Sequence, residues 1–250
     1  MSLRREALQG AVSGLSLALG LSSCTSTRPP PWPPATQESW SHLGRELQAR
    51  RQSQPKQPWS AGLRITMRDP GSGRVIDGRG AIAVEPGQAV RMVLTGAAGA
   101  TMLDAWVTTT RWRVAVPPLE VVRRGEVIEP PDMPVGFLRW WFLTPLSGGL
   151  FAASSTEDGS LWLLRYGDAV IELREASCAR GTLLHATRRL AGHAETVDEC
   201  RAKAAPSAGD SARYFDETTG LCVDVFLESI GTEPPSRDAF RDPDVVGGGT

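Results

Sequence analysis

The 250-residue sequence lacks the short motifs that mark many catalytic sites. There is no G-x-S-x-G elbow, no phosphate-cradling glycine loop and no H-E-x-x-H pair, so an enzyme is not expected. Charge of one sign is missing too. The formal net charge is −1, with Lys and Arg together 27, nearly all of them Arg. That gives no electrostatic reason to expect a nucleic-acid partner. No apolar run reaches the ~20 residues that a membrane-spanning helix needs. Cysteine is scarce: the four stand at 24, 178, 200 and 222, and neither a C-x-x-C nor an H-x-x-x-H pair is present. His185, His193, Cys178 and Cys200 therefore have no metal-ligand spacing, and neither a metal nor a cofactor is expected.

What is present is a body rich in turns. Gly 26 and Pro 19 are high beside 41% hydrophobic residues, which suits many short strands and few long helices. One stretch stands apart, Met133-Pro-Val-Gly-Phe-Leu-Arg-Trp-Trp-Phe-Leu-Thr-Pro-Leu146. Pro134 suits a first helical turn and Pro145 ends the helix, predicting a helix over 134–144. It is apolar nearly all round, with Arg139 its one charge, so it is expected to be enclosed on most sides. Each of its aromatic rings would hide roughly 150–250 Å².

The strands around it follow period two. Leu63, Ile65 and Met67 share one face of 63–68, with Arg64, Thr66 and Arg68 on the other. Further strands are expected over 75–84, 90–95, 102–107 and 112–116. After the helix come 161–166 with 169–175, 182–190 with 194–202, and 212–216 with 221–228. Turns every 8–12 residues signal an antiparallel sheet, sandwich or barrel. The expected fold is mainly β with short helices: an unclosed antiparallel half-barrel wrapping an apolar helix. An N-terminal amphipathic helix over 36–51 carries Trp40, Leu43 and Leu47 at helical spacing, with Thr36 a candidate cap. Inward positions are expected at Leu63, Ile65, Met67, Ile82, Val84, Met92 and Leu94. The next strands add Leu103, Trp106, Trp112 and Val114. The helix would supply Phe137, Trp140, Trp141 and Leu143 as a lid. The same residues could equally form a packed core with no room for a ligand.

Arg4 and Arg5, the apolar stretch 11–21 and Leu21-Ser22-Ser23-Cys24 resemble a bacterial lipoprotein signal. That resemblance implies cleavage before Cys24, a lipid on Cys24 and, because Thr25 rather than Asp follows, sorting to the outer membrane. Residues 1–23 would be the signal. Residues 24–35, rich in proline, would be an extended tether. Residues 36–242 would be the folded domain and 243–250 a disordered tail, with Phe240 tucked against the body.

The order of elements is lipobox, tether, amphipathic helix, strand meander, short apolar helices and more strands. Together with Leu63-Arg-Ile-Thr-Met67, Val75 to Ala83, Trp112-Arg-Val-Ala-Val-Pro117 and Pro134-Val-Gly-Phe-Leu-Arg-Trp-Trp141, it resembles the lipoprotein-localisation (LolA/LolB-like) half-barrel family. The resemblance covers roughly residues 36–242. It implies an unclosed barrel whose helices lid an apolar cavity for lipoprotein acyl chains, periplasm-facing and lipid-anchored. It also implies an arginine that holds the lid through backbone hydrogen bonds, for which Arg91 is the candidate. The loop Gly96-Ala97-Ala98-Gly99 carries no large side chain where the family's receptor displays one, so strict receptor activity is not implied. The other function class is a non-enzymatic structural or adaptor lipoprotein, with a filled core and an envelope protein partner. Arg64, Arg91, Arg111 and Arg113 read as solvated strand faces, or as contacts to phosphate or an acidic partner. In an oxidising compartment three cysteines besides Cys24 leave one pair and one thiol. Cys178–Cys200 with Cys222 free is the expectation; Cys178–Cys222 and Cys200–Cys222 remain open.

Overall fold

The computed structural model describes residues 37–96, 99–126, 135–143, 146–156, 159–203 and 205–246. The signal, Cys24, the tether and the cap at Thr36 lie outside the described residues. So do Ala97, Ala98, Pro134, Pro145 and the last four positions.

A helix, α1 (Gln37–Ser53), leads into six strands: β1 (Trp59–Asp69), β2 (Arg74–Glu85), β3 (Ala89–Thr95), β4 (Thr101–Thr108), β5 (Arg111–Val116) and β6 (Val121–Glu126). A helical segment over Val135–Leu143, which we call the plug, follows. Seven more strands complete the body: β7 (Gly149–Thr156), β8 (Gly159–Tyr166), β9 (Ala169–Cys178), β10 (Gly181–Leu190), β11 (His193–Arg201), β12 (Ser211–Asp216) and β13 (Cys222–Ile230). All thirteen form one antiparallel sheet in the order β6-β5-β4-β3-β2-β1-β13-β12-β11-β10-β9-β8-β7. The two meanders meet where β1 pairs with β13, Ile65 opposite Val225. β6 and β7 are the edges and do not pair with each other, so the barrel is open. Neither edge strand stands in the sequence-based expectation. β6 is exposed along nearly its whole length, and β7 is rich in small residues, so neither shows the alternation that marks a half-buried strand.

The inner face carries one continuous apolar core built from both halves of the sheet, α1 and the plug. The plug lies over β2, β3 and β4, and α1 packs on β7 and β8. Leu43 and Leu47 are buried, and the Trp162 indole donates to the Leu43 carbonyl at 2.8 Å. Trp40, expected on the same stripe, is exposed. Gly80 has a definite reason to be glycine. A Cβ there would meet the Val93 carbonyl oxygen at 2.0 Å, where β2 presses on β3. The turn between β10 and β11 holds Ala191 and Gly192 both at positive φ, the geometry of a tight two-residue hairpin.

On the outer face the C-terminal segment folds back across β3 to β5. Trp106 donates to the Phe240 carbonyl at 2.9 Å, and Asp244 pairs with Arg113 at 2.9 Å and Arg124 at 3.1 Å. Phe240 thus meets the body as expected. The helical turn Pro243–Val246 corrects the expectation of disorder from residue 243.

Near the β1–β13 seam, Asp224 accepts from Arg68 and from Arg213. Burial alone would raise its pKa, but these two guanidiniums outweigh burial and hold it below the usual carboxylate range. A lowered folded pKa adds stability above the unfolded value of about 3.9, and that stability is lost as pH falls through the folded value. Asp224→Asn is therefore expected to lower the melting temperature at pH 7. The gap from the wild type should close progressively below pH 4, as followed by circular dichroism.

Candidate functional site

The plug begins as a short α-turn, Val135–Phe137, and continues as a π-helix over Leu138–Leu143. π-Geometry is rare and concentrates at functional positions. It widens the turn of the helix expected over 134–144, which is helical throughout the described residues 135–143. Phe137, Leu138, Trp140, Trp141 and Leu143 are all buried. The Trp141 and Phe142 rings stack with centroids 4.8 Å apart, and Phe137 meets Trp141 at 5.4 Å and Phe142 at 5.8 Å. Phe142 reaches Trp59 at the start of β1, at 6.2 Å.

Polar ties to the rest of the molecule are few and definite. The Trp141 indole donates to Glu199 Oε1 at 3.0 Å. Arg51, in the last turn of α1, donates through Nε to the Leu146 carbonyl at 3.0 Å and through Nη2 to Gly148. The arginine that holds the chain leaving the plug therefore comes from α1. Arg91, the expected candidate, faces outward in a bidentate pair with Asp104 at 2.9 Å for both bonds. Trp140 is different, because its buried indole N–H has no hydrogen-bond partner among the described residues. Such an orphan costs about 1–3 kcal/mol.

The predicted lining residues are brought together, with one exception. Leu63, Ile65, Ile82, Val84, Met92, Leu94 and Val114 lie in the same core as the plug, with Met67, Leu103 and Trp112 packed against it. They form a filled interior in contact with the plug. Trp106 is the exception. It lies three residues from Leu103, an odd step that puts it on the opposite face. It pairs with outward-facing Arg91, while Leu103 pairs with inward-facing Leu94.

The other wall of the interior is charged, which sequence reasoning missed. Arg188 pairs with fully buried Glu195 at 2.8 Å, and the Tyr214 hydroxyl donates to the same carboxylate at 2.8 Å. Burial, and then the charge of Glu195, push the Tyr214 pKa well above its ordinary value. The Tyr214 ring lies 5.5 Å from that of Phe137, under the plug. Glu199, two residues beyond Val197, carries Trp141 and also pairs with Arg201. Period two held the signal: Ala186 and Val197 face inward, so Arg188, Glu195, Glu199 and Arg201 must as well.

An open pocket of about 400 Å³ lies where α1 ends, beside the plug. Trp59, Pro86, Trp141, Phe142, Leu143 and Leu146 give it an apolar wall, and Arg51, Gln54, Ser147 and Arg201 supply its polar groups. Its lining includes two guanidiniums and no carboxylate. Arg51 has no ion-pair partner among the described residues, and partial burial lowers its pKa from the ordinary value. None of this pocket was named from sequence except Trp141 and Leu143.

Cys178 and Cys200 form a disulfide, with Cα atoms 6.1 Å apart. Cys222 is buried as expected, but the free thiol is a correction: it too is disulfide-bonded, and no cysteine among the described residues is free. Among the described residues no cluster of three or more His, Cys, Asp or Glu side chains could hold a metal ion.

This geometry, an open antiparallel sheet around an internal helix, can be set beside solved structures. A LolA superfamily protein from Nitrosomonas europaea superposes with a TM-score of 0.53 at 10% identity, covering 80% of this chain and 97% of that one. The chain has the LolA-type half-barrel fold. Looser likenesses are a DUF1329 family protein from Desulfovibrio piger and a domain proposed for outer membrane lipoprotein sorting from Vibrio parahaemolyticus. Both have a TM-score of 0.47, at 9% and 10% identity, and each covers 82% of this chain, with 98% and 96% of their own. No protein-family model matches the sequence, and no curated protein sequence matches it. The LolA-type assignment thus rests on the course of the backbone.

Phe137 touches Trp141, Phe142 and Tyr214 at once. Phe137→Ala is expected to cost about 3–5 kcal/mol in urea unfolding, the usual price of deleting a buried aromatic ring. Trp40→Ala, at an exposed position, is expected to stay within about 0.5 kcal/mol.

Proposed function

We propose that the protein is a lipid-anchored envelope protein that binds acyl chains, of a lipoprotein or a free lipid, in its half-barrel. In this reading it takes part in transferring them to the outer membrane. The observation that carries the reading is the plug: a short segment, apolar but for Arg139, fills the interior of a sheet that does not close on itself. An acyl chain offers the inner wall the same kind of contact as Phe137, Trp140, Trp141 and Leu143. Exchange of one occupant for another is feasible when their free energies are close. The orphaned Trp140 N–H lowers the cost of leaving, because a displaced plug regains water at that group. Fold likeness alone does not set function, so the argument rests on these residues.

The filled interior favours a second reading, a structural or adaptor lipoprotein that docks an envelope partner and holds no lipid. The two readings part in one titration. An acylated peptide added to the purified protein is expected to give a saturable change in tryptophan fluorescence, since Trp140, Trp141 and Trp59 all stand at the exchange site. A flat response at saturating peptide supports the adaptor and overturns acyl-chain binding.

The anchor is proposed on Leu21-Ser22-Ser23-Cys24. Two acyl chains or more hold a protein stably at a bilayer where one does not. Intact-mass measurement of the mature protein is expected to show an acylglycerol adduct on Cys24. A mature chain without the adduct contradicts the anchor.

A further inference from the structure

We propose that the pocket beside the plug binds the acidic head of an amphiphile. The carboxylate or phosphate sits on Arg51 and Arg201, and the chain runs along Trp59, Trp141 and Phe142. The inference rests on the acyl-chain reading and adds to it the class of head group.

Three observations converge on it. The lining joins an aromatic wall to two guanidiniums and contains no carboxylate; the Glu199 carboxylate stands behind it, paired with Arg201 and the Trp141 indole, so an entering anion meets the two guanidiniums first. Arg51 is a partly buried cation whose contacts are two carbonyl oxygens, with no carboxylate partner among the described residues. Partly withdrawn from water and facing no carboxylate among the described residues, its charge is available to an anion that enters the pocket. A guanidinium has five N–H donors in a fork matched to carboxylate and phosphate. Arg51 spends one on each of Leu146 and Gly148, so three remain. Gln54, one helical turn from Arg50, adds a neutral amide to the same lining. Arg201 is held in place by Glu199, which also fixes Trp141. The carboxylate that neutralises Arg201 thereby aligns the aromatic wall with the cationic one. A neutral lipid would leave Arg51 unsatisfied and gain only the apolar contacts.

The size fits. A volume of about 400 Å³ lies within the ordinary range of small-ligand pockets, ~300–1,000 Å³. The pocket opens to solvent, which leaves room for the head group at the mouth, while the chain first meets the plug that it goes on to displace. Attraction of this kind weakens with added salt.

The experiment compares four probes by tryptophan fluorescence with the full mature chain at pH 8. Dodecanoate and dodecyl phosphate carry chain and anion, dodecanol carries the chain alone, and inorganic phosphate carries the anion alone. The two anionic amphiphiles are expected to bind at least ten-fold tighter than dodecanol, and inorganic phosphate is expected not to bind. Arg51→Gln and, separately, Arg201→Gln are expected to bring the ratio of anionic-probe to dodecanol affinity from at least ten-fold down to about two-fold or less, whichever way each variant moves dodecanol itself; melting curves confirm that each variant folds. Equal binding of dodecanol and dodecanoate overturns the head-group proposal and leaves acyl-chain binding standing. Binding of inorganic phosphate as tightly as dodecyl phosphate makes this a site for free anions and overturns the proposal. Absence of binding by every chain-bearing probe overturns both the proposal and the reading beneath it. Both variants binding dodecanoate as the wild type does excludes the two arginines and overturns the assignment.

Discussion

An open sheet with an apolar inner face cannot stand empty in water, and everything else in the molecule answers that constraint. Thirteen strands curve round without β6 meeting β7. Leu63, Ile65, Met92 and Leu94 on one side, and Trp162, Leu164, Ile171 and Leu173 on the other, need cover. The plug lies over β2 to β4 and α1 over β7 and β8, and one continuous core joins both to these side chains. Four aromatic rings in nine residues supply the area, at roughly 25 cal/mol per Å² removed from water as an upper estimate. The cover is not part of the sheet. It is held by Glu199 and, through the chain that leaves it, by Arg51.

The interior is two-sided in its chemistry. β1 to β5 present aliphatic side chains; β10 to β12 present Arg188, Glu195, Glu199 and Tyr214. Buried charges of this kind are weak sources of stability, since desolvation offsets much of their attraction. They do fix position. The Glu195 carboxylate joins β10, β11 and β12 across adjacent strands, and Glu199 sets the indole of Trp141. The result is an apolar hollow already filled, with an amphipathic mouth at its margin. That arrangement suits an occupant with a chain and a head better than a purely apolar one.

Much of this was legible in the sequence, for a physical reason. Period-two alternation survives wherever one face is buried and the other wet, so β1 to β5 and β8 to β13 were readable within a few residues. The all-round apolar character of 134–144 marked the plug, because no surface helix can carry it. The two edge strands were invisible: β6 is exposed on both faces and β7 is made of small residues, so neither has a pattern to read. Trp106 misled because its bulk suggests a core, while its register assigns it to the outer face under Phe240. The charged wall was missed for the opposite reason. Glu and Arg at inward positions look like solvated faces until pairing brings Arg188 opposite Glu195. Arg51 stood outside the expected site, and only the fold carries it to the plug.

The central claim is that the plug is a separable occupant of the half-barrel and not a fixed part of its core. Hydrogen–deuterium exchange of amides 135–143, with and without a bound acyl ligand, tests this most directly. The account predicts that ligand speeds exchange in the plug while the amides of Leu63, Ile65 and Val225 in the central strands stay protected. Plug amides that exchange only with global unfolding, ligand present or absent, would contradict it.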